Sequence, residues 1–285
     1  MKTDTEAFAG GVAVITGAGA GIGSGLARRA GELGMTVVVT DISSERAEAV
    51  AAEIKAKGGR AEAMVVDVSK PAELDRLAAE VVDRFGDVRL LVNNAGIETI
   101  GYTWEIPADR WEATLNINIH GVVHGVRAFA PYMLEAGKEA WIANLASVGA
   151  FSVMPTQTAY IMTKHAVQSF TECLYLEMQL KQAPIHVSSI MPGMLKTSIF
   201  EAAAGKGEPE AASAHRKAMF DLMANYGMDL AEGCQRILEQ VAEGKFWVST
   251  QPEMTQAAVD GRIQFFRDQS PPFLAGEAKQ LLGID

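Results

Sequence analysis

The sequence has little cysteine and no long uninterrupted hydrophobic run. Its 285 residues include two cysteines, Cys173 and Cys234, which are too few for a disulfide framework, and we interpret both as small buried thiols. No stretch reaches the roughly 18 consecutive apolar residues that a membrane helix needs, and residues 1–11 contain no apolar core of a signal peptide. We therefore expect a cytoplasmic protein that does not associate with membranes.

Positive charge is scarce as well, because 25 basic residues stand against 35 acidic ones and leave a formal net charge of −10. An acidic surface repels phosphate backbones, which argues against nucleic acid as a partner. The sequence also lacks clusters of His, Cys, Asp and Glu with the spacing of a metal site, so we expect no bound metal. An anionic cofactor would have to bind through local features of the fold.

What the sequence does contain is a regular alternation of short apolar runs with longer amphipathic segments. Strands are predicted at residues 12–16, 37–40, 61–66, 90–92, 140–145, 185–190 and 246–248. Helices are predicted at residues 22–33, 44–57, 71–85, 109–134 and 159–180. The strands are apolar throughout, which indicates burial on both faces and hence a parallel sheet covered by helices. The expected fold class is α/β, a Rossmann-type doubly wound parallel sheet in a single domain over residues 1–285.

Two segments depart from this alternation. Residues 197–226 are rich in Ala, Gly and Met, with Gly205 and Gly207 among them, and we expect a mobile lid over the substrate. Residues 251–285 follow the last predicted strand. We expect this C-terminal extension either to cap the pocket or to lie across a neighbouring subunit.

A glycine-rich turn joins the first predicted strand to the first predicted helix. Its spacing is T-G-x-x-x-G-x-G, with Gly17, Gly21, Ile22 and Gly23 as the candidate cofactor-binding residues. Such a turn lets backbone N–H groups approach a pyrophosphate, and the helix N-terminus adds partial positive charge. An acidic protein can hold an anionic dinucleotide in this way, although glycine turns also occur as simple tight connections.

The end of the second predicted strand carries Asp41, whose carboxylate can accept hydrogen bonds from ribose hydroxyls and would repel a 2′-phosphate. The first basic residue after it is Arg46, so NAD is favoured over NADP. A plain helix cap is the alternative role for Asp41. Asp67 and Val68, after the third predicted strand, are weaker candidates for contacts near the adenine.

A Y-x-x-x-K pattern at Tyr160 and Lys164 places both side chains on one face of a predicted helix. A free tyrosine has a pKa of ~10, and a nearby ammonium favours the phenolate. We therefore expect Lys164 to lower the pKa of Tyr160 toward the range useful for proton transfer. Ser147 follows the strand predicted at residues 140–145, where its hydroxyl could bind a carbonyl oxygen.

Taken in chain order, these motifs resemble the short-chain dehydrogenase/reductase family over roughly residues 10–250. The resemblance is carried by residues 16–23, Asn93-Asn94-Ala95-Gly96, Asn118, Ser147, Tyr160, Lys164 and Pro192-Gly193. The family pattern of an asparagine three residues before a glycine selects Asn118 rather than Asn116. His120 and His124, on the same predicted helix, are interpreted as structural or interface residues.

The resemblance implies a role for each matching residue. Tyr160 would be the general acid/base, Lys164 would hold the nicotinamide ribose, and Ser147 would orient the substrate oxygen. Asn118 would keep a water in the proton relay below Lys164. Asn94, Ala95 and Gly96 would stabilise the central sheet and border the cofactor. Pro192, Gly193 and Thr197 would wrap around the nicotinamide amide. The resemblance also implies a homodimer or homotetramer.

The substrate is expected to contact residues near the tyrosine, and most of these are apolar. The candidates are Ile97, Glu98, Val148, Phe151, Val153, Met154, Gln157, Met194, Leu195, Phe200, Met219, Phe220 and Met223. They favour a hydrophobic secondary alcohol or its ketone, with Glu98 and Gln157 as the polar members. Many of them would equally suit a protein core. The alternative functions are a non-catalytic NAD sensor or scaffold and an NAD-dependent epimerase or dehydratase.

Overall fold

The computed structural model describes residues 3–202, 210–274, 276 and 279. Within this part of the chain a seven-stranded sheet runs in the order β3-β2-β1-β4-β5-β6-β7, and every pair of neighbours is parallel. The strands are β1 Val12–Ile15, β2 Thr36–Asp41, β3 Arg60–Val65, β4 Val88–Asn93, β5 Ala140–Leu145, β6 Ile185–Met191 and β7 Trp247–Ser249. The predicted doubly wound parallel sheet is confirmed.

Helices connect and cover these strands. Their bounds are α1 Asp4–Phe8, α2 Gly21–Glu32, α3 Ser44–Ala56, α4 Pro71–Phe85, α5 Ala108–Leu115, α6 Gly121–Ala136, α7 Thr158–Leu180, α8 Ile199–Ala202, α9 Glu210–Tyr226, α10 Leu230–Ala242 and α11 Pro252–Asp268. The strand order reverses between β1 and β4. In doubly wound sheets this reversal opens a crevice at the carboxyl ends of the strands, where ligands bind.

Apolar side chains fill a separate core on each face of the sheet. One core contains Leu26 of α2 and Ile237 of α10, with Phe8 packed edge-on against Trp141. The other contains Phe129 of α6 and Leu174 of α7. Because both faces are covered, the central strands β1 and β5 are buried at every position, which is why they lack polar alternation.

The structure corrects two predictions, on a helix and on a cysteine, and shows helices in the segment expected to form a lid. The helix expected at residues 109–134 contains a π-helical turn at Asn116–His120 between α5 and α6. Residues 197–226 include two helices, α8 and α9, while Gly205 and Gly207 lie outside the described residues. Cys173 is exposed, so its interpretation as a buried thiol was wrong, whereas Cys234 is buried.

The C-terminal extension begins with α11, in which no residue is buried. The expected position of this extension, over the pocket or across a neighbouring subunit, stays a prediction. The homodimer or homotetramer stays a prediction as well. No helix in the described part of the chain combines the length and apolar character needed to cross a membrane.

A buried row of polar side chains ties the sheet to a helix. Asn93 Nδ2 donates to Asn144 Oδ1 at 2.8 Å, and Asn144 Nδ2 donates to Thr171 Oγ1 at 3.1 Å. Gly125 of α6 lies directly against this row, since a Cβ atom there would collide with Asn93 Oδ1. This row of polar side chains therefore requires a glycine at position 125 of α6.

We expect Gly125→Ala to lower the free energy of unfolding by about 1–3 kcal/mol, because overpacking forces buried groups to shift. Gly261→Ala on α11 is the matched control, since a Cβ there has nothing within 4 Å. Alanine should stabilise that helix by up to about 1 kcal/mol. Urea unfolding of both variants measures the difference, and equal midpoints would contradict the proposed collision.

Candidate active site

The glycine turn after β1 packs closely against the segment after β4. Gly17 has a φ of +63°, and a Cβ there would lie 2.8 Å from the Ala95 Cα atom. A Cβ at Gly23 would collide with the Gly17 carbonyl. The N-cap residue of α2, Ala20, makes no side-chain hydrogen bond to the helix. Consequently, backbone N–H groups at the start of α2 are not capped by that side chain and can face an anion.

Thr16 organises this contact. Its Oγ1 accepts hydrogen bonds from the backbone N–H groups of Asn94 at 3.0 Å and Ala95 at 3.1 Å. Asn94 Nδ2 in turn donates to the carbonyls of Thr16 at 2.8 Å and Gly17 at 3.1 Å. In the sequence pattern Thr16 is only the first residue of the turn. A hydroxyl at the end of a buried strand was the available signal for its role.

Asp41 lies at the end of β2 and is 5% exposed. Its Oδ2 accepts a hydrogen bond from Gly19 N at 3.1 Å, and its Oδ1 accepts one from Ser43 N at 2.9 Å. Arg46 forms an ion pair with Oδ1 at 2.7 Å. The carboxylate therefore borders the glycine turn, and the guanidinium of Arg46, five residues further along the chain, lies beside it.

Asp67 and Val68 both contact neighbouring parts of the protein. Asp67 Oδ1 accepts hydrogen bonds from Ser69 N at 3.0 Å and Ser69 Oγ at 2.6 Å. Burial acts to raise the pKa of this carboxyl, but the Ser69 bonds and Lys70 outweigh it, so the pKa is lowered. The Val68 side chain is buried in the core against Gly121. The structure thus gives both side chains protein partners.

Tyr160 and Lys164 both lie in the first two turns of α7. Lys164 is 4% exposed, and its Nζ donates to the carbonyl of Leu145 at 2.8 Å. The same Nζ lies 5.4 Å from the centroid of the Tyr160 ring. Burial lowers the pKa of Lys164 to about 8, although Glu98 favours the charged form.

Ser147 follows β5, and its hydroxyl lies beside the Tyr160 side chain. Its Oγ also accepts a hydrogen bond from Gly149 N at 3.1 Å. Burial and the nearby Glu98 carboxyl raise the pKa of Tyr160, and the Ser147 hydroxyl lowers it by less. The expectation that Lys164 lowers this pKa was therefore wrong for the protein alone, because desolvation of the phenolate dominates.

Asn118 lies in the π-helical turn and joins three segments. Its Oδ1 accepts a hydrogen bond from Ile97 N at 2.8 Å, and its Nδ2 donates to the Ile97 carbonyl at 2.9 Å. The same Nδ2 is 3.1 Å from Thr163 Oγ1, which donates to the Tyr160 carbonyl at 2.6 Å. Asn118 thus fixes the segment after β4 relative to α7, and Thr163 is a link that the sequence analysis missed.

The segment after β6 closes the other side of the crevice. The Pro192 carbonyl accepts a hydrogen bond from Val148 N at 3.2 Å, and Gly193 N donates to Thr250 Oγ1 at 3.1 Å. Thr197 lies over the glycine turn, with its Cβ 3.7 Å from where a Cβ on Gly21 would be. The turns after β1, β5 and β6 therefore meet at one edge of the sheet.

The predicted substrate residues divide into several environments. Glu98 and Gln157 are buried and hydrogen-bonded through their side chains, and burial raises the pKa of Glu98 to about 8. Phe200 and Met223 pack with Ile100 in a small apolar cluster that Met219 borders. The remaining candidates are partly buried or exposed: Ile97, Val148, Phe151, Met154, Met194 and Phe220.

Two candidates do not fit a pocket lining. Val153 is 61% exposed, and Leu195 is 1% exposed. Leu195 packs against Gly233, where a Cβ would collide with it. Within the described ranges no group of three or more His, Cys, Asp or Glu side chains could hold a metal ion.

Comparison with known proteins agrees with this geometry. A family model described as short chain dehydrogenase matches residues 11–206. A crystal structure of a short chain dehydrogenase/reductase from Burkholderia phymatum, in complex with NAD, superposes with a TM-score of 0.89 at 32% identity, covering 94% of this chain and 98% of that chain. A short-chain dehydrogenase from Streptomyces avermitilis superposes with a TM-score of 0.77 at 26% identity, covering 92% and 94%.

Curated relatives match a shorter region. The 1-deoxy-11-beta-hydroxypentalenate dehydrogenase of Streptomyces avermitilis is 34% identical over 187 residues, which are 65% of this chain and 68% of that protein. "Probable oxidoreductase EphD" of Mycobacterium tuberculosis is 36% identical over 185 residues, 65% of this chain but only 31% of that protein. The match thus spans less than a third of the mycobacterial relative. With the family model, the fold and the motifs in agreement, the chain belongs to the short-chain dehydrogenase/reductase family of oxidoreductases.

Proposed function

We propose that this oxidoreductase is an NAD-dependent dehydrogenase that interconverts a hydrophobic secondary alcohol and its ketone, with Tyr160 as the general acid/base. The observation that carries the proposal is the contact of Tyr160 with Ser147 and Lys164 at the carboxyl edge of the parallel sheet. Tyrosine is an effective acid/base only where neighbours control its charge, and this site supplies an ammonium, a hydroxyl and a carboxyl.

The residues at the crevice fit a dinucleotide. The close approach between the glycine turn and Ala95 leaves no room for side chains at Gly17 and Gly23, and the start of α2 offers its N–H groups to a pyrophosphate. Asp41 would accept hydrogen bonds from the adenosine ribose, and Lys164 from α7 would bind the nicotinamide ribose. The nicotinamide would supply the redox chemistry by exchanging one hydride with the substrate carbon.

The chain's own residues would handle the proton. In oxidation the Tyr160 oxygen takes the proton of the substrate hydroxyl, and in reduction it returns a proton to the carbonyl oxygen. Ser147 would hold that oxygen by a second hydrogen bond. A tyrosine phenol is protonated at neutral pH, and because burial raises its pKa further in the protein alone, Tyr160 holds the proton that reduction delivers. A cationic nicotinamide would favour the phenolate and so support the reverse direction.

The substrate class is supported by an apolar cluster formed by Ile100 in the loop after β4, Phe200 of α8 and Met223 of α9. One relative is named as a dehydrogenase of 1-deoxy-11-beta-hydroxypentalenate, which agrees with a hydroxyl as the reacting group. We propose a medium-sized hydrophobic alcohol. Absorbance of NADH measured over a panel of secondary alcohols, with NADP⁺ in parallel, tests both the substrate class and the cofactor.

Tyr160→Phe removes the proton-carrying oxygen and leaves the ring. We expect kcat to fall by about 10²- to 10⁴-fold, the usual contribution of general acid/base catalysis, while the Kd for NAD⁺ measured by calorimetry stays unchanged. Tyr175→Phe is the control, since it makes the same change on the same helix, where the ring packs against Phe246. Near-normal kcat in the Tyr160 variant would exclude the mechanism.

Asp41→Ala removes the carboxylate that would repel a 2′-phosphate and frees the Arg46 guanidinium from its ion pair. We expect the ratio of kcat/KM for NADP⁺ to that for NAD⁺ to rise by about tenfold or more, which corresponds to ~1.4 kcal/mol. Glu45→Gln is the control, because it removes an exposed carboxylate from the first turn of α3, next to Arg46. It should leave the ratio of kcat/KM values unchanged. An unaltered ratio in the Asp41 variant would show that Asp41 does not select the cofactor.

Glu98→Gln removes a carboxyl that, once ionised above its own pKa of about 8, raises the pKa of Tyr160. With that charge gone, the phenol ionises more easily, so the rising limb of alcohol oxidation against pH should move to lower pH. Profiles of kcat/KM against pH measure the shift. Glu105→Gln, at an exposed position in the same loop, should retain the wild-type profile, and a shift to higher pH in the Glu98 variant would refute the assignment.

A further inference from the structure

The turn that precedes α7 contains an unusual backbone conformation. Thr156 has a φ of +67°, and among the described residues only Gln182 and Gln269 share a positive φ without being glycine. Those two glutamines follow the ends of α7 and α11, where left-handed residues are common. Thr156 instead comes shortly before a helix and is β-branched, for which this conformation is a clear outlier. Such residues persist only where their surroundings hold them.

His215 of α9 is what holds the Thr156 side chain. Its Nδ1 and Thr156 Oγ1 are hydrogen-bonded at 2.6 Å, and the two residues are 0% and 2% exposed. The Thr156 carbonyl is held separately, because it accepts a hydrogen bond from Gly101 N at 2.8 Å. The left-handed turn is therefore fixed from two sides, by α9 and by the loop after β4.

A histidine is an unfavourable choice at position 215 unless this bond matters. Its neighbours on α9, Ala212 and Met219, belong to or border an apolar cluster. The other ring nitrogen, Nε2, is buried and has no hydrogen-bond partner in the described part of the chain. Leucine or methionine would fill the same space without burying an unpaired nitrogen. Burial also lowers the pKa of His215, which keeps the ring neutral.

The held turn leads directly to Tyr160. Gln157, the next residue, is the N-cap of α7 and its side chain is hydrogen-bonded to Glu98. Its carbonyl accepts the hydrogen bond from Ile161 N at 2.9 Å that begins the helix. Tyr160 lies within this first turn. The conformation of Thr156 therefore decides where α7 starts and in which direction its first side chains point.

We propose that His215 is a positioning residue for Tyr160, which acts by holding Thr156 in its left-handed conformation so that α7 begins in the register that the phenol requires. This inference rests on the proposed role of Tyr160. It gives a part in catalysis to α9, whose Met223 belongs to the apolar cluster that supports the proposed substrate class.

The test replaces each partner of the bond. His215→Leu and Thr156→Val remove it without leaving a cavity, and each should lower kcat by about 10- to 100-fold, the cost of a small misplacement of a reacting group. The Kd for NAD⁺ should not change. Because both variants break one bond, the double variant should be no slower than the worse single one. His215→Asn, whose amide can replace Nδ1, should recover much of the rate.

Testing His215→Leu in the Thr156→Gly variant distinguishes a positioning role of His215 from a general packing role. Glycine adopts positive φ freely, so Thr156→Gly needs no support from His215. Adding His215→Leu to Thr156→Gly should therefore cost much less than adding it to the wild type. Amide hydrogen exchange over residues 157–164 should be faster in His215→Leu than in wild type and gives a readout independent of activity.

Wild-type kcat in His215→Leu, or additive losses in the double variant, would overturn the inference. If His215→Leu does not fold, Thr156→Val and Thr156→Gly decide the question, because the first should lose rate and the second should not. Failure of the proposed function looks different, since the wild-type protein would then oxidise no alcohol of the panel or Tyr160→Phe would be fully active.

Discussion

The ammonium group of Lys164 is buried, and a buried charge needs polar partners. The rest of the site depends on the contacts that this group makes. Leaving water disfavours the charged form, as the lowered pKa of Lys164 records. The carbonyl of Leu145, the last residue of β5, accepts a hydrogen bond from it, and the Glu98 carboxyl favours its charge. This contact fastens α7 to the carboxyl edge of the sheet. The phenol one helical turn earlier is thereby placed at the same edge.

The other parts of the site meet at that edge because the sheet is parallel and doubly wound. All strands end on the same side, so the turns after β1, β4, β5 and β6 come together without long connections. Hydrogen bonds then fix the turns to one another, as Thr16 does for the segment after β4 and Asn118 does for α7. At the glycine turn the start of α2 thus presents backbone N–H groups that its N-cap side chain leaves uncapped.

Most of the fold and the positions of Tyr160, Lys164 and Asp41 followed from local patterns, since strand burial and helix spacing depend on neighbouring residues. Contacts that join distant segments did not follow from such patterns. His215 looked like one more residue in an Ala- and Met-rich stretch, and only the folded chain brings it to Thr156. The direction of the Tyr160 pKa was wrong for a similar reason, because desolvation depends on everything packed around the phenol.

The π-helical turn at Asn116–His120 changes the angular phase of the helix that contains it. A regular helix advances about 100° per residue, so one additional residue in a turn rotates everything after it by that angle. The portion before the turn contacts α7, whereas the portion after it covers β4 and α4. One continuous helical segment can therefore pack against α7 with its first part and against β4 and α4 with its second part, although these surfaces lie at different angles around it. A hydrophobic periodicity calculated over residues 108–136 as one helix would average two apolar stripes, one before and one after the π-helical turn, that point in different directions.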